Sequence, residues 1–192
     1  MSQDKIAEAV TRHQNLLQET MQRHGADLGQ LSTRLVEVFQ EGGRLVTLGN
    51  GPFGQVANLV AGFFMYRLGL ERPLLPAISL SHDSLLASAL ANEDDADQYF
   101  ARQLRALGAD GDVVLAFAGG RREKAVEEAL SLARQNECLT ALVFRGKEED
   151  LPDVRPDFLV RVEAETSADA LEVGLFYGRV LCELVEAELF GL

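Results

Sequence analysis

At 192 residues the chain is the size of one domain with a full core, and 47% hydrophobic with 25% charged residues is the balance of a globular protein. The formal net charge of −12 argues against a nucleic-acid partner, which needs clustered Lys and Arg, while leaving room for a small phosphate that reads only the local field. No apolar run approaches the roughly 20 residues that cross a bilayer, Ser2 to Glu8 is too polar for a signal peptide, and Cys138 and Cys182 have no metal or redox spacing, so a cytoplasmic protein off the membrane is expected.

The first elements read as an amphipathic helical pair over residues 1–43. Ile6, Val10, Leu17 and Met21 keep a helical period up to Gly25, and Leu28, Leu31, Leu35, Val38 and Phe39 mark a second stripe that ends at Gly42-Gly43. Such a pair either caps the domain's own core or packs against another copy of the chain. From Arg44 strands and helices alternate through residue 192. Strands are expected at 44–48, 75–80, 112–117, 139–144 and 158–162. Helices are expected at 53–68, 84–91, 95–107, 122–135 and 168–189. Strands rich in Val, Leu and Phe without polar alternation are those of a parallel sheet covered on both faces. The expected fold is therefore α/β, a doubly wound five-stranded parallel sheet of flavodoxin-like order, with its site at the carboxyl ends of the strands.

Three segments leave those strand ends: Gly49-Asn50-Gly51, then Ser81-His82-Asp83-Ser84, then Gly119-Gly120-Arg121-Arg122. The first and third join a strand to a helix through glycines, a geometry that aims backbone N–H groups and a helix dipole at an anion. Gly49 and Gly51 equally serve the turn itself. Asn50 can close that turn or present its amide to a ligand. Ser81, Asp83 and Ser84 can cap the next helix or bind a ligand. Arg121 and Arg122 oppose the dipole rule at a helix start, so they either pair with acids such as Glu123 or clamp an anion, with Arg121 the better candidate. The candidate ligand-binding set is Asn50, Gly51, Ser81, Asp83, Ser84, Gly119, Gly120 and Arg121. His13, His24 and His82 are too scattered for a metal site. The final helix is apolar around more than one stripe through Val173, Leu175, Phe176, Val180, Leu181, Leu184 and Val185, which suggests subunit packing.

In this order and spacing the segments resemble the SIS (sugar isomerase) fold, and more narrowly its phosphoheptose isomerase branch, which includes the initiator-associating proteins that bind the bacterial replication initiator. The resemblance runs through Leu48 to Gly51, Arg72-Pro73, Leu75 to Ile78, Ser81 to Ser84, Ala91-Asn92-Glu93, Phe100 to Gly108, Gly111 to Val113, and Leu181 to Glu186. It implies a phosphorylated sugar or similar small anion as ligand, and a homodimer or homotetramer.

The departures from that pattern are as informative. The resemblance implies Gly-Ser after the first turn, where this chain has Pro52 and Phe53. It implies a hydroxyl-rich loop around the sugar phosphate, where this chain has Ala118, Gly119, Gly120, Arg121, Arg122 and Glu123. The zinc ligands of the isomerases fall on Leu59, Phe63, Leu171 and Arg179, and a plausible acid–base His falls on Gly174. None of these can bind zinc or move a proton, so neither a catalytic set, a metal nor another cofactor is expected. The expected function is a pseudoenzyme that binds a phosphosugar or other carbohydrate derivative. One alternative is an oligomeric scaffold for a protein partner, like the initiator-associating proteins. Another is a working isomerase that uses Glu93, Asp94, Asp95 or Glu172.

Overall fold

The computed structural model describes residues 2–67, 69 and 71–191. Met1, Leu68, Leu70 and Leu192 lie outside the described residues, and with them the expected helix end at Leu68.

The segment expected to be a helical pair is one helix, α1 (Ser2–Gln40), of 39 residues. Gly25 lies inside it and does not stop it. An exposed mid-helix Gly costs ~1 kcal/mol relative to Ala, and the stripe of Leu16, Thr20, Leu28, Leu31 and Leu35 stays buried through it. The helix ends where Gly42 takes φ +86°. The two readings of its role divide along its length. The carboxyl half packs on the chain's own core, whereas Ile6 and Val10 are 64% and 50% exposed.

The remaining elements are β1 (Leu45–Gly49), α2 (Pro52–Tyr66), β2 (Ala77–Ser79), α3 (Ser84–Asn92), a 3-10 turn (Ala96–Gln98), α4 (Tyr99–Leu107), β3 (Val113–Gly119), α5 (Lys124–Gln135), β4 (Leu139–Arg145), β5 (Phe158–Arg161) and α6 (Ser167–Phe190). The five strands are parallel in the order β2-β1-β3-β4-β5. The doubly wound sheet expected from the sequence is therefore present. β2 is shorter than the expected 75–80, because Pro76 has no donor to give a ladder and the N–H of Leu75 turns to the Phe64 carbonyl, 3.2 Å.

Alternate side chains of β3 feed two cores. Val113, Leu115 and Phe117 join the face covered by α1, α2 and α6. Val114, Ala116 and Ala118 join the face covered by α4 and α5. Both cysteines are buried, and burial pushes the Cys138 thiol up to about 11 and the Cys182 thiol up to about 12. They stay protonated and unreactive at neutral pH.

One buried ion pair ties three segments together. Arg72 Nε donates to Glu186 of α6 at 2.5 Å, and the same guanidinium donates to the carbonyls of Phe63 and Phe64 at the end of α2. The two side chains are 2% and 10% exposed. Removing Arg72 would leave the Glu186 carboxylate buried and uncompensated. Arg72→Ala is therefore expected to lower unfolding free energy by about 3–5 kcal/mol, read by urea denaturation. A loss below about 1 kcal/mol, the level of an exposed pair, would contradict this.

Candidate functional site

A sheet of order 2-1-3-4-5 reverses its winding between β1 and β3, and the crevice beyond their carboxyl ends is where such folds bind ligands. β1 and β3 lie in register, Thr47 opposite Leu115 and Gly49 opposite Phe117. The β1–α2 and β3–α5 turns consequently meet at the crevice, and the β2–α3 turn flanks it.

At the β1–α2 turn the donors that open α2 turn back on the loop. Gly51 takes φ +52°, and Pro52, which has no N–H, opens α2. Phe53 N–H donates to the Asn50 carbonyl at 3.0 Å and Gly54 N–H to the Gly51 carbonyl at 3.1 Å. Gly49 serves space and not a left-handed angle. A Cβ there would lie 2.8 Å from the Phe117 carbonyl oxygen and from the Phe53 backbone. Phe53 is buried at 6% exposure, and a Cβ on Gly119 would meet its ring at 2.7 Å. The floor beneath the two glycine turns is thus filled by an aromatic ring.

On the β2 side an open cleft of about 410 Å³ is lined by Gly49, Asn50, Gly51, Ser81, His82, Asp83, Ser84, Ala87, Ala96, Tyr99 and Phe100. Two of its polar residues hold the walls. Ser81 Oγ accepts from Gly49 N–H at 3.1 Å and donates to the Gly49 carbonyl at 3.0 Å, joining the ends of β1 and β2. Asp83 caps α3 by accepting from Leu86 N–H at 2.9 Å. Asn50, His82 and Ser84 are left at the rim, with the phenol of Tyr99, which donates to the Asp83 carbonyl at 3.2 Å. Tyr99 is a lining residue that the sequence did not reveal, because it arrives from α4, far along the chain from the three turns.

The candidate set does not converge on this one cleft. Asn50, Gly51, Ser81, Asp83 and Ser84 line it, while Gly119, Gly120 and Arg121 lie beyond it at the β3–α5 turn. Between the two groups stands Glu123, which the sequence offered only as a partner for the arginines. Its carboxylate accepts from Asn50 Nδ2 at 2.6 Å and from Gly119 N–H at 3.3 Å, and the neighbouring Gly120 N–H donates to the Arg145 carbonyl at 2.7 Å. Burial holds the Glu123 carboxyl above its ordinary value of 4.5, against the opposing effects of Asn50, Gly119 and the nearby Arg121. Arg121 is exposed at the turn. Arg122 has acidic partners, donating through Nε to Glu127 at 2.9 Å and through Nη2 to Asp153 at 2.5 Å.

The positions that the resemblance assigns to zinc and to acid–base chemistry do not fit either task. Leu59 is half exposed, Phe63 packs against the core, and Arg179 is paired with Glu183. These side chains, with Leu171 and Gly174, supply no imidazole, thiolate or carboxylate. The acids held open as substitutes lie elsewhere. Glu93 and Asp95 face Arg102 at 3.9 and 3.5 Å, and Glu172 sits 2.8 Å from His13 between α6 and α1. Neither they nor Asp94 line the cleft. A larger groove of about 600 Å³ runs between the amino half of α1 and the β5–α6 loop, lined by Glu8, Glu19, Glu163, Glu165 and Asp169 with Arg12. Its excess of carboxylates disfavours a phosphate ligand.

The SIS domain family matches residues 10–142. A phosphoheptose isomerase from Trichlorobacter lovleyi is 32% identical over 190 residues, covering 99% of this chain and 96% of that protein. Among solved structures, a phosphoheptose isomerase from Francisella tularensis superposes with a TM-score of 0.86 at 24% identity, covering 96% of this chain and 98% of that one. The Vibrio vulnificus NanR protein complexed with ManNAc-6P superposes with a TM-score of 0.64 at 16% identity, over 97% of this chain and 63% of that one. The chain therefore belongs to the SIS-domain family, in its phosphoheptose isomerase branch.

Burial raises the Glu123 carboxyl above its ordinary value in the folded protein. Its ionised form is disfavoured in the fold, so the cost is absent below the ordinary value of 4.5 and fully present above the raised one. E123Q is expected to melt higher than the parent protein at pH 8, with the gap closing by pH 4. A difference in melting temperature that does not change with pH would contradict this.

Proposed function

We propose that the protein is a non-catalytic SIS-domain binder of a phosphorylated sugar or other carbohydrate derivative. The observation that carries this reading is the open cleft at the ends of β1 and β2, whose rim carries the polar groups of Asn50, His82, Ser84 and Tyr99. A cleft of about 410 Å³ suits a small polar ligand. Asn50, the serines and backbone groups of the turns offer hydrogen bonds to sugar hydroxyls. The ManNAc-6P complex of the NanR protein, which shares the fold, supports a sugar phosphate as the ligand class. Relatives at about a third identity are named isomerases, but aldose–ketose conversion needs a positioned base. Leu59, Phe63, Leu171, Gly174 and Arg179 stand at the five positions where the resemblance implies zinc ligands and an acid–base group. A cytoplasmic location fits such a ligand.

Exposed apolar side chains favour a second reading, that of an oligomeric scaffold. Ile6 and Val10 on α1, with Leu59, Met65, Tyr66 and Leu74 around α2 and the approach to β2, are all at least 43% exposed. Their burial in a homodimer or homotetramer would form a composite surface able to gather a protein partner.

Differential scanning fluorimetry against sedoheptulose 7-phosphate, other sugar phosphates and plain phosphate tests the first reading. A ligand at ~100 times its Kd adds about 2.7 kcal/mol. At about 2–4 °C per kcal/mol, that is a rise on the order of 5–10 °C. At least one sugar phosphate is expected to give this concentration-dependent rise, with no turnover in a coupled isomerase assay. Turnover would contradict the non-catalytic assignment. No shift with any sugar phosphate would leave the scaffold as the better account.

A further inference from the structure

The crevice between β1 and β3, where this winding order calls for a ligand, is bridged by the protein itself. Two donors face each other across it, the carboxamide of Asn50 and the N–H of Gly119, and both are given to the Glu123 carboxylate at 2.6 and 3.3 Å. Glu123 directly precedes α5, a helix of 12 residues, but its side chain makes no capping bond to that helix and turns back to the strand end instead. The Glu123 carboxylate thus takes up the donors that face the crevice, with a helix N-terminus behind it and Arg121 close by. A second cation points the same way. Arg145 is anchored through Nε and Nη2 to the carbonyls of Ala164 and Glu165, at 3.1 and 2.6 Å. This directs Nη1 toward Gly120, 3.7 Å from where a Cβ would stand. Gly120 has no such Cβ and takes φ +98°, so the approach stays clear.

We propose that Glu123 is an internal competitor for this anion seat, and that a phosphate monoester binds the crevice only by displacing the carboxylate from Asn50 and Gly119. The proposal rests on the phosphosugar reading above and makes Glu123 its specificity-determining residue. With Glu123 in place, the chain holds a hydroxyl-bearing ligand in the neighbouring cleft and resists the phosphate. With Glu123 swung out, Asn50 Nδ2, Gly119 N–H, Arg121 and Arg145 converge on one anion. Glu123 is half-buried at the surface of the turn, so its swing disturbs no core side chain.

Isothermal titration calorimetry at pH 7.5 tests this on the parent protein, on the near-isosteric E123Q and on Glu123→Ala, each first shown to melt cooperatively. The probes are sedoheptulose 7-phosphate, inorganic phosphate and unphosphorylated sedoheptulose. Removing a like charge from the seat is expected to tighten both phosphate probes at least tenfold, while affinity for the neutral sugar changes less than twofold. If the parent protein binds sedoheptulose 7-phosphate and neither variant binds it more tightly, the competitor role is overturned and the phosphosugar reading stands. Equal tightening of the neutral sugar would also overturn it, since the gain would come from space and not charge. If none of the three proteins binds either phosphate probe, both readings fall together.

Discussion

The parallel, in-register pairing of β1 with β3 is the constraint on which the site depends. Because Gly49 lies opposite Phe117 and β3 runs on only to Gly119, the turns that follow the two strands meet at one end of the sheet, although α2 and α5 then cover opposite faces. This close approach has no room for a Cβ at Gly49, and it brings the Phe53 ring under Gly119. With β2 joined on one side and β4 on the other, the turns after three strands share a single rim. Ser81 fixes the first two relative to each other through both the N–H and the carbonyl of Gly49. Anything bound at this rim is read by residues from widely separated parts of the chain.

What occupies the rim separates this protein from a simple anion cradle. A helix N-terminus attracts negative charge only while its N–H groups are free to point at it. At the β1–α2 turn Pro52 removes one donor, and the N–H groups of Phe53 and Gly54 turn back on the loop. At the β3–α5 turn the N–H of Gly119 is held by the Glu123 side chain, whereas that of Gly120 is held by the β4 backbone. Only the first of these can be released without unravelling the sheet. The Arg72–Glu186 pair lies at the other end of α2 from this rim, so the fold's principal buried charge pair is independent of the site.

The alternation of strands and helices, and the placement of three turns at one sheet end, were legible in the sequence because both follow from local pattern. The runs 112–117 and 139–144 have the composition of doubly buried strands, and those strands form within a residue or two of these limits. The helical pair was misread at Gly25, because a glycine signals a stop only where the apolar stripe also ends, and here the stripe continues to Leu35. That Leu59, Phe63 and Gly174 offer no imidazole or carboxylate, where the resemblance implies such groups, was readable as chemistry. The parts that stayed hidden are side-chain directions. Glu123 reads as a solvated acid beside two arginines, and nothing local says that it reaches across to Asn50, which is 73 positions away in the chain. Tyr99 was missed for the same reason: its role depends on how α4 docks against the β2–α3 turn.

The most direct test of the account is a crystal structure of the protein grown with sedoheptulose 7-phosphate. The account predicts unconverted sugar in the cleft beside Asn50, Ser84 and Tyr99, with its phosphate at the Gly119 N–H and the Glu123 carboxylate turned out. Density for the sugar in the acid-lined groove between α1 and the β5–α6 loop, with Glu123 still bound to Asn50, would contradict it.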